Sequence, residues 1–259
     1  MREVGLAALS ALHLSPDDFI IKAANAGFDF VGLRVKAATP TETHHDLSIG
    51  GALHTRVLSL LEKTGLRVVD TEFLCLSPEV TSEDWVREID IAASLKARSF
   101  TVSGGDPEEN RLIDNLGNLS DYAKRQGIAV SLEPISYQPV QTLESAVRIA
   151  QAAGAGVMAD TLHLARIGVD AAELAKYAEF ISMLQLCDAP KDSPVSHQEL
   201  ITEARTHRLS PGQGELPLTE YLAALPEDLP ISIEAPNPAG FKDSGTWIKE
   251  LATSMKGLL

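Results

Sequence analysis

The segment GIAVSLEPISYQPVQTLESAVRIAQAAGAGVMAD, residues 127–160, carries the repeating pattern that indicates the fold of this chain. Residues 128–133 and 157–160 are short apolar runs, which are typical of buried strands. Between them, residues 142–153 form a longer amphipathic run that ends at Gly154, as helices commonly end at a glycine. The segment therefore predicts a strand, a helix and a second strand in succession.

The same alternation extends from this segment toward both ends of the chain. Predicted strands cover residues 2–9, 28–35, 67–76, 99–103, 128–133, 157–160, 181–188 and 231–234. The first predicted helix lies between Ser15, an expected N-cap, and Gly27. The other predicted helices cover residues 53–64, 82–97, 108–126, 142–153, 170–179, 218–224 and 246–258. Eight strand–helix units in 259 residues predict a (β/α)8 TIM barrel, an α/β fold, as a single domain over residues 1–259.

The alternative fold is a doubly wound open sheet. Such sheets often carry a G-x-G-x-x-G turn directly after the first strand. Here the first predicted strand is followed by Ser10-Ala11-Leu12-His13 instead. The sequence therefore favours the barrel.

Composition restricts the partners and the compartment. Lys and Arg number 22 and Asp and Glu number 36, a net charge of −14 that argues against nucleic acid or an anionic membrane as partner. No apolar run reaches the roughly 20 residues that a membrane helix needs. The first residues lack the apolar stretch of a signal peptide, and two cysteines cannot form a disulfide framework. We therefore expect a cytoplasmic globular protein.

Oxygen-bearing side chains stand at the ends of four consecutive predicted strands: Glu133, Asp160, Gln185 and Glu234. Active sites of such barrels lie at the carboxyl ends of the strands, and side chains alternate between the two faces of a strand. The alternation lets all four point toward the barrel axis. Three crowded carboxylates need a neutralising cation, and an all-oxygen set suits Mg2+ or Mn2+. The alternative is that each acid caps a helix or is a solvated strand end.

Two further residues are candidates for contacts with a substrate. His163 lies three residues after Asp160, where a short turn can direct it inward; the alternative is a structural or surface histidine. Arg208 precedes the stretch Pro211-Gly212-Gln213-Gly214, which predicts a tight turn with exposed backbone donors. From there Arg208 can reach a substrate oxygen over the barrel mouth, although a solvated arginine on a surface turn is the default.

Glu72 lies in the third predicted strand with the same parity as Asp70 and Val68, so it is expected either to line the pocket or to form a cap or salt bridge. Arg34 and Lys36 share parity near the end of the second strand. A solvated basic loop is favoured for them over the alternative that one of them contacts a substrate carboxylate or phosphate.

Three other side chains are expected to be structural. His44 and His45 lie in a loop rich in Thr and Pro. This loop is expected to be an ordinary surface loop rather than a lid over the pocket. Cys187 shares the parity of Gln185 and is expected to be a small buried residue; the alternative is a contact with the pocket wall.

Five stretches of the chain share a pattern with a known family: Ser131-Leu132-Glu133-Pro134, Asp160-Thr161-Leu162-His163, Gln185-Leu186-Cys187-Asp188-Ala189-Pro190, Arg208 with Pro211-Gly212-Gln213-Gly214, and Ile233-Glu234. Together they resemble the xylose isomerase-like TIM-barrel superfamily, which includes ketose 3-epimerases, hydroxypyruvate isomerases, inosose dehydratases, 3-dehydroshikimate dehydratases and endonuclease IV. The resemblance implies metal ligation by Glu133, Asp160, Gln185 and Glu234. It also implies proton transfer by the two glutamates, substrate contacts by His163 and Arg208, and a homo-oligomer.

One departure bears on the reaction. Epimerases of this superfamily usually carry His at the position of Gln185, and the surrounding stretch is more similar to some bacterial 3-dehydroshikimate dehydratases. Endonuclease IV is set aside because its relatives use a His-rich zinc cluster and a basic face, whereas this chain has 7 His and a charge of −14.

The predicted function is a metal-dependent isomerase or epimerase of a small polyhydroxylated carbonyl compound, acting through α-proton abstraction by Glu133 or Glu234. The alternatives are a dehydratase of the 3-dehydroshikimate type and a non-catalytic sugar-binding barrel.

Overall fold

Eight parallel strands close into a barrel in the computed structural model, which describes residues 2–39 and 42–258. Each strand pairs with the next one along the chain, and the eighth pairs with the first. The strands are β1 Val4–Leu6, β2 Phe30–Arg34, β3 Arg67–Leu76, β4 Ser99–Gly104, β5 Ala129–Glu133, β6 Gly156–Asp160, β7 Ile181–Leu186 and β8 Ile231–Ile233. The predicted (β/α)8 fold is confirmed.

Helices connect the strands around the outside of the barrel. They are α1 Pro16–Ala26, α2 Ala52–Thr64, α3 Val86–Ser94, α4 Glu109–Arg125, α5 Leu143–Ala152, α6 Thr161–Arg166, α7 Ala171–Lys176, α8 His197–Thr206, α9 Leu218–Ala224, α10 Pro238–Lys242 and α11 Ser244–Ser254. Helix α1 ends at Gly27, whose φ of 87° is a left-handed conformation that glycine adopts without strain. Ser15 does not cap α1 as expected, because its hydroxyl donates to the Asp17 carboxylate instead.

Some predicted boundaries are wrong for local reasons. The first strand ends at Leu6, and a short 3-10 helix, Ala8–Ala11, follows it. The predicted helix 82–97 is a short 3-10 helix followed by α3, which begins only at Val86. Helix α8 lies in a segment for which no helix was predicted. Its signal was present, since Ser196 and Glu199 form a reciprocal capping box.

The hydrophobic residues form two separate layers. The larger layer fills the space between barrel and helices and includes Leu132 and Ile233, so these side chains point outward as predicted. The smaller one fills the barrel interior with Phe30, Val69, Met158 and Met183. The sequence predicts that Val68, Asp70 and Glu72 point to the same side of the third strand, and this is wrong for Val68. Val31 of β2 pairs with Val68, but the next residue, Gly32, pairs with Asp70, so β3 has one extra residue at this point. This bulge turns Val68 outward and leaves Asp70 and Glu72 inward.

Within residues 2–39 and 42–258, no helix is long and apolar enough to cross a membrane. Both cysteines are free, and Cys187 is completely buried, which confirms its expected packing role.

Candidate functional site

A pocket of about 370 Å³ opens at the carboxyl ends of the barrel strands. Its polar lining includes most of the side chains singled out from the sequence: Glu72, Glu133, His163, Arg208 and Glu234. All five are less than 6% exposed, so the groups that line the pocket are nearly withdrawn from water. The structure therefore brings these predicted residues together at the place where barrel enzymes carry their chemistry.

Asp160 and Gln185 lie side by side beneath this lining, as paired residues of β6 and β7. Asp160 is completely buried, and its Oδ1 accepts the backbone N–H groups of Leu162 at 2.8 Å and His163 at 3.2 Å. Asp160 thus caps α6, which the sequence reasoning had treated only as a short turn. The alternative interpretation of this acid as a helix cap is therefore correct for its Oδ1 atom. The Oδ2 atom of Asp160 remains available to a second partner.

Arg208 supplies that second partner. Its Nη1 donates to Asp160 Oδ2, and its Nη2 lies 3.1 Å from Glu234 Oε2. The remaining donors face backbone oxygens, with Nε 2.7 Å from Ala204 O and Nη1 3.2 Å from Glu234 O. Arg208 is only 2% exposed, so the default expectation of a solvated arginine on a surface turn is wrong. The guanidinium bridges two of the three predicted carboxylate ligands.

The pKa values of the three carboxyl groups are shifted in different directions. Burial raises the pKa of Asp160, but the charge of Arg208 and the hydrogen bonds from Arg208 and from the His163 backbone N–H together hold this pKa below its usual value. Burial and the neighbouring Asp160 and Glu234 raise the pKa of Glu133 well above its usual range. Burial raises the pKa of Glu234 to about 8 even though Arg208 opposes the shift. Two of the three acids therefore lack a sufficient counter-charge.

His163 is a neutral hydrogen-bond donor toward the pocket. Burial lowers its pKa to about 4, so the ring is uncharged near neutral pH. Its Nδ1 accepts the backbone N–H of Ser136 at 3.4 Å, which assigns the ring proton to Nε2. Nε2 lies 3.9 Å from Glu133 Oε1 and on the pocket side. The arrangement suits donation to an oxygen that gains negative charge.

Gln185 carries the observation that bears on a metal. Its Oε1 is buried and has no hydrogen-bond partner in the described part of the chain, and the same holds for the hydroxyl of Ser232, which pairs with it on β8. Such orphaned buried oxygens commonly indicate an ion or water. Glu133 and Glu234 lack a sufficient counter-charge, and together with Gln185 they offer only oxygen atoms. Oxygen ligands of this type are those that a hard divalent cation prefers.

Among the predicted metal ligands, an arginine side chain stands where a metal ion would bind. Across the two described ranges, no group of three or more His, Cys, Asp or Glu side chains is placed to hold a metal ion. Arg208 occupies the oxygens of Asp160 and Glu234 that would take part. A divalent cation at this position would therefore share or replace the guanidinium contacts.

The two basic residues near the end of β2 differ in exposure and in location. Lys36 is 28% exposed and its Nζ donates to the Asp84 carbonyl, in accord with a basic loop. Arg34 has a side chain only 9% exposed and lines the pocket, so the solvated-loop interpretation is wrong for it. The difference was not visible from their shared parity, because the chain leaves the strand after Arg34.

The segment that follows β2 forms part of the pocket rim. Ala38, Thr39, Glu42 and Thr43 line the pocket, whereas His44 is exposed and His45 is half-buried. Sequence reasoning missed Glu42 as well as Phe73 and Tyr137, which also line the pocket. Only Tyr137 carried a signal, since it lies four residues beyond a predicted strand end.

Asp188 organises the turn that follows Arg208. Its carboxylate accepts backbone N–H groups from both sides of the turn, at distances between 2.9 and 3.0 Å, and the backbone of Leu209 pairs with Asp188 in a β-bridge. The donors belong to Ala189, Gly212, Gly214 and Leu216. Gly212 is exposed and Gly214 is half-buried, but Asp188 accepts both of their backbone N–H groups, so the turn does not offer these donors to a ligand. The result is a rigid support directly after the arginine.

Fold and site together define a class, a (β/α)8 barrel with a buried acidic pocket at the carboxyl ends of its strands. A family model described as xylose isomerase-like TIM barrel matches residues 20–256, and the chain belongs to this family.

One curated protein matches part of the chain. A 3-dehydroshikimate dehydratase of Pseudomonas putida is 26% identical over 123 residues, which cover 46% of this chain and 19% of that enzyme. The matching stretch thus corresponds to about a fifth of the length of the relative.

Solved structures share the fold over nearly the whole chain. A fusion of a xylose isomerase-like TIM barrel with a 4-hydroxyphenylpyruvate dioxygenase has a TM-score of 0.81 at 21% identity, covering 99% of this chain and 42% of that chain. The IolI protein with a bound zinc atom has a TM-score of 0.78 at 17% identity, covering 99% and 97%. D-allulose 3-epimerase from Methylomonas sp., in complex with D-allulose, has a TM-score of 0.72 at 16% identity, covering 100% and 97%. At these identities the likeness establishes the fold alone.

Proposed function

We propose that this chain is a metal-dependent lyase that removes water from a cyclic hydroxy-ketone carboxylate of the 3-dehydroshikimate kind. The observation that carries the chemistry is the pair Glu133 and Glu234, buried in the pocket beside the neutral His163. The dehydratase relative and Gln185, in place of the histidine usual in epimerases, favour elimination over isomerisation. The order of preference thus differs from that of the sequence alone, in which isomerisation stands first.

The reaction begins with proton transfer from carbon to a carboxylate. Glu133 or Glu234 accepts the proton on the carbon next to the ketone, and a pKa tuned toward the operating pH favours this role. The His163 Nε2–H donates to the ketone oxygen as negative charge develops there, and the nearby positive charge of Arg208 adds to this stabilisation. The C–H electron pair then forms the new double bond as the β carbon–oxygen bond breaks. The departing hydroxide takes a proton from a protonated carboxyl group and leaves as water.

A divalent cation would be held by oxygen atoms of Glu133, Asp160, Gln185 and Glu234. When bound, it polarises the ketone and so lowers the pKa of the adjacent C–H. Mg2+ and Mn2+ both suit this donor set.

Metal binding should be measurable without turnover. We expect saturating Mn2+ to raise the melting temperature of the chelator-treated protein, since 100-fold excess over Kd adds about 2.7 kcal/mol, or roughly 5–10 °C for a chain of this size. Gln185→Leu should weaken Mn2+ binding because it removes the orphaned oxygen, whereas Gln185→His should retain it. Gln198→Leu, on an exposed face of α8, is the control. Equal Mn2+ affinity of Gln185→Leu and the parent would remove Gln185 from the ligand set.

The pH dependence of binding has a defined sign. The pKa of Glu234 is raised to about 8 in the protein without metal, and a cation binds only the ionised carboxylate. Mn2+ affinity should therefore increase as the pH rises from about 6 to 8, with proton release detectable by calorimetry in buffers of different ionisation enthalpy. Affinity that is flat across this range would contradict a role for Glu234 as a ligand.

A substrate panel tests the reaction itself. The Mn2+ and Mg2+ forms should convert 3-dehydroshikimate to an aromatic catechol acid, which is followed by its ultraviolet absorbance and by NMR. The lyase proposal would be wrong if 3-dehydroshikimate is not converted. If a ketose also incorporates deuterium next to its carbonyl in heavy water, the second candidate is favoured instead.

That second candidate is an isomerase or epimerase of a small polyhydroxylated carbonyl compound. The paired glutamates favour it, because one can remove a proton and the other can return one. Likeness in fold to D-allulose 3-epimerase is consistent with it. A cytoplasmic location and a homo-oligomer remain predictions for either reaction.

A further inference from the structure

The two buried arginines of the pocket differ in how many donors they have left. Arg208 directs its guanidinium at Asp160, at Glu234 and at the carbonyl oxygen of Ala204. Its Nη1 also reaches the Glu234 carbonyl. Because the guanidinium has five N–H donors in a fixed fork, these protein partners occupy most of its capacity. Arg208 is therefore poorly placed to offer two parallel donors to a ligand.

Arg34 is the arginine with spare donors. Its Nε is buried and has no hydrogen-bond partner among residues 2–39 and 42–258. Glu42 Oε1 lies 3.4 Å from that Nε, and Glu72 Oε1 lies 3.9 Å from Nη2. These separations are longer than charged hydrogen bonds, which measure about 2.7–2.9 Å. The two glutamates therefore attract the guanidinium without saturating it.

The orientation of Arg34 is restrained by an aromatic ring. The Phe73 ring lies against the guanidinium, with the Arg34 Cζ atom 5.6 Å from the ring centroid. Stacking covers the face of a guanidinium and leaves its edge for planar partners. Both residues line the pocket, so the edge is available to a ligand inside it.

The rest of the pocket suits a ring better than an open-chain sugar. Apolar and aromatic side chains form much of the wall: Leu9, Leu12, Phe73, Ile135, Tyr137 and Phe241. A ring with apolar faces can pack against such a wall, while hydroxyl groups along a ketose would lose hydrogen bonds to water there. A buried guanidinium is also matched better by an anion than by a neutral hydroxyl.

We propose that Arg34 binds the carboxylate of the substrate, so that the pocket is selective for cyclic organic acids over neutral sugars. The proposal deepens the function proposed above and rests on it for the identity of the site. It assigns anion recognition to the end of β2 and leaves Arg208 to the carboxylates of β6 and β8. Arg34 is thus a specificity-determining residue.

Binding of a matched pair of ligands tests this assignment without turnover. The probes are 3,4-dihydroxybenzoate and its uncharged carboxamide, titrated by calorimetry into the metal-free and Mn2+-loaded protein. The parent should bind the carboxylate at least about tenfold more tightly than the amide, as expected for charge-assisted hydrogen bonds. Arg34→Gln should bind both equally, with the affinity for the amide unchanged. Arg34→Lys should be intermediate, because it keeps the charge but loses the fork.

Lys36→Gln is the matched control, since Lys36 is a cation two residues away that does not line the pocket. This variant should keep the full preference for the carboxylate. Unchanged amide binding by Arg34→Gln shows that its pocket is folded; if that variant does not fold, Arg34→Lys carries the test. Retention of the full preference by the folded Arg34 variant, or no preference in the parent, overturns the proposal.

Failure of this inference and failure of the proposed reaction are distinguishable. If the preference depends on Arg34 but 3-dehydroshikimate is not dehydrated, the reaction is wrong and the anion site stands. If 3-dehydroshikimate is dehydrated and Arg34→Gln leaves its KM unchanged, the reaction stands and the anion site is wrong.

Discussion

Glu133→Gln and Glu234→Gln should each lower kcat by about a thousandfold while the protein remains folded. Positioned proton transfer contributes about 10²- to 10⁴-fold to enzyme rates. Glutamine keeps the shape and one oxygen of the side chain but cannot accept or return a proton. Both residues are at most 5% exposed and line the pocket, so water cannot readily replace them as the base. Single-turnover measurements with 3-dehydroshikimate, and proton exchange in heavy water for ketoses, report the chemical step directly.

The controls separate chemistry from metal binding and from folding. Melting temperature and Mn2+ titration of each glutamine variant should show a folded protein with at least partial metal binding, because an amide oxygen remains at the site. Glu62→Gln, on an exposed position of α2, should leave kcat unchanged. Activity that survives at parental levels in both pocket variants would contradict the proposed mechanism for lyase and isomerase alike.

Asp188→Ala should have the largest effect on stability. The Asp188 carboxylate is 2% exposed and accepts four backbone N–H groups, which alanine would leave without partners. A buried donor without a partner costs about 1–3 kcal/mol. Only Ala189 is fully buried, so water can replace part of the lost hydrogen bonding at Gly212, Gly214 and Leu216. We expect a loss of about 3–5 kcal/mol of unfolding free energy, seen as a melting temperature lower by roughly 10 °C.

The same substitution should also affect the site. The β-bridge between Asp188 and Leu209 places the residue directly after Arg208, so loosening the turn should release the guanidinium from Asp160. Asp188→Asn keeps one acceptor oxygen and should fall between the alanine variant and the parent. Asp192→Ala, an exposed acid in the same segment, is the control and should change stability by less than about 0.5 kcal/mol. Parental stability of Asp188→Ala would show that the turn does not depend on this carboxylate.

Alternation along single strands correctly predicted which way several of the candidate side chains point. Glu133 and Glu234 line the pocket, and Gln185 is buried on the inward parity that its strand pattern indicated. Glu72 also faces inward, although the bulge at Val68 broke the parity used to infer it. Such arguments succeed at strand ends because the direction of a side chain there depends mainly on the residue count from the buried positions of the same strand.

The same reasoning could not assign partners across the barrel. Arg34 and Lys36 have equal parity, yet one is buried against Glu42, Glu72 and Phe73 and the other is partly exposed. Parity ends where a strand ends, and beyond that point the path of the chain depends on neighbouring loops. Arg208 illustrates this, since it stands 48 residues from Asp160 in sequence and pairs with it in a buried site.

The sequence by itself determined the barrel, its eight strands and the inward acids, because these follow from local hydrophobic periodicity and from the fixed geometry of parallel β-α units. Only the tertiary structure decided which cation meets which carboxylate. It placed Arg208 on Asp160 and Glu234, left Arg34 with spare donors, and turned the backbone donors of the glycine turn toward Asp188. Electrostatic partners depend on distances and burial across elements far apart in the chain, and no local pattern encodes these quantities.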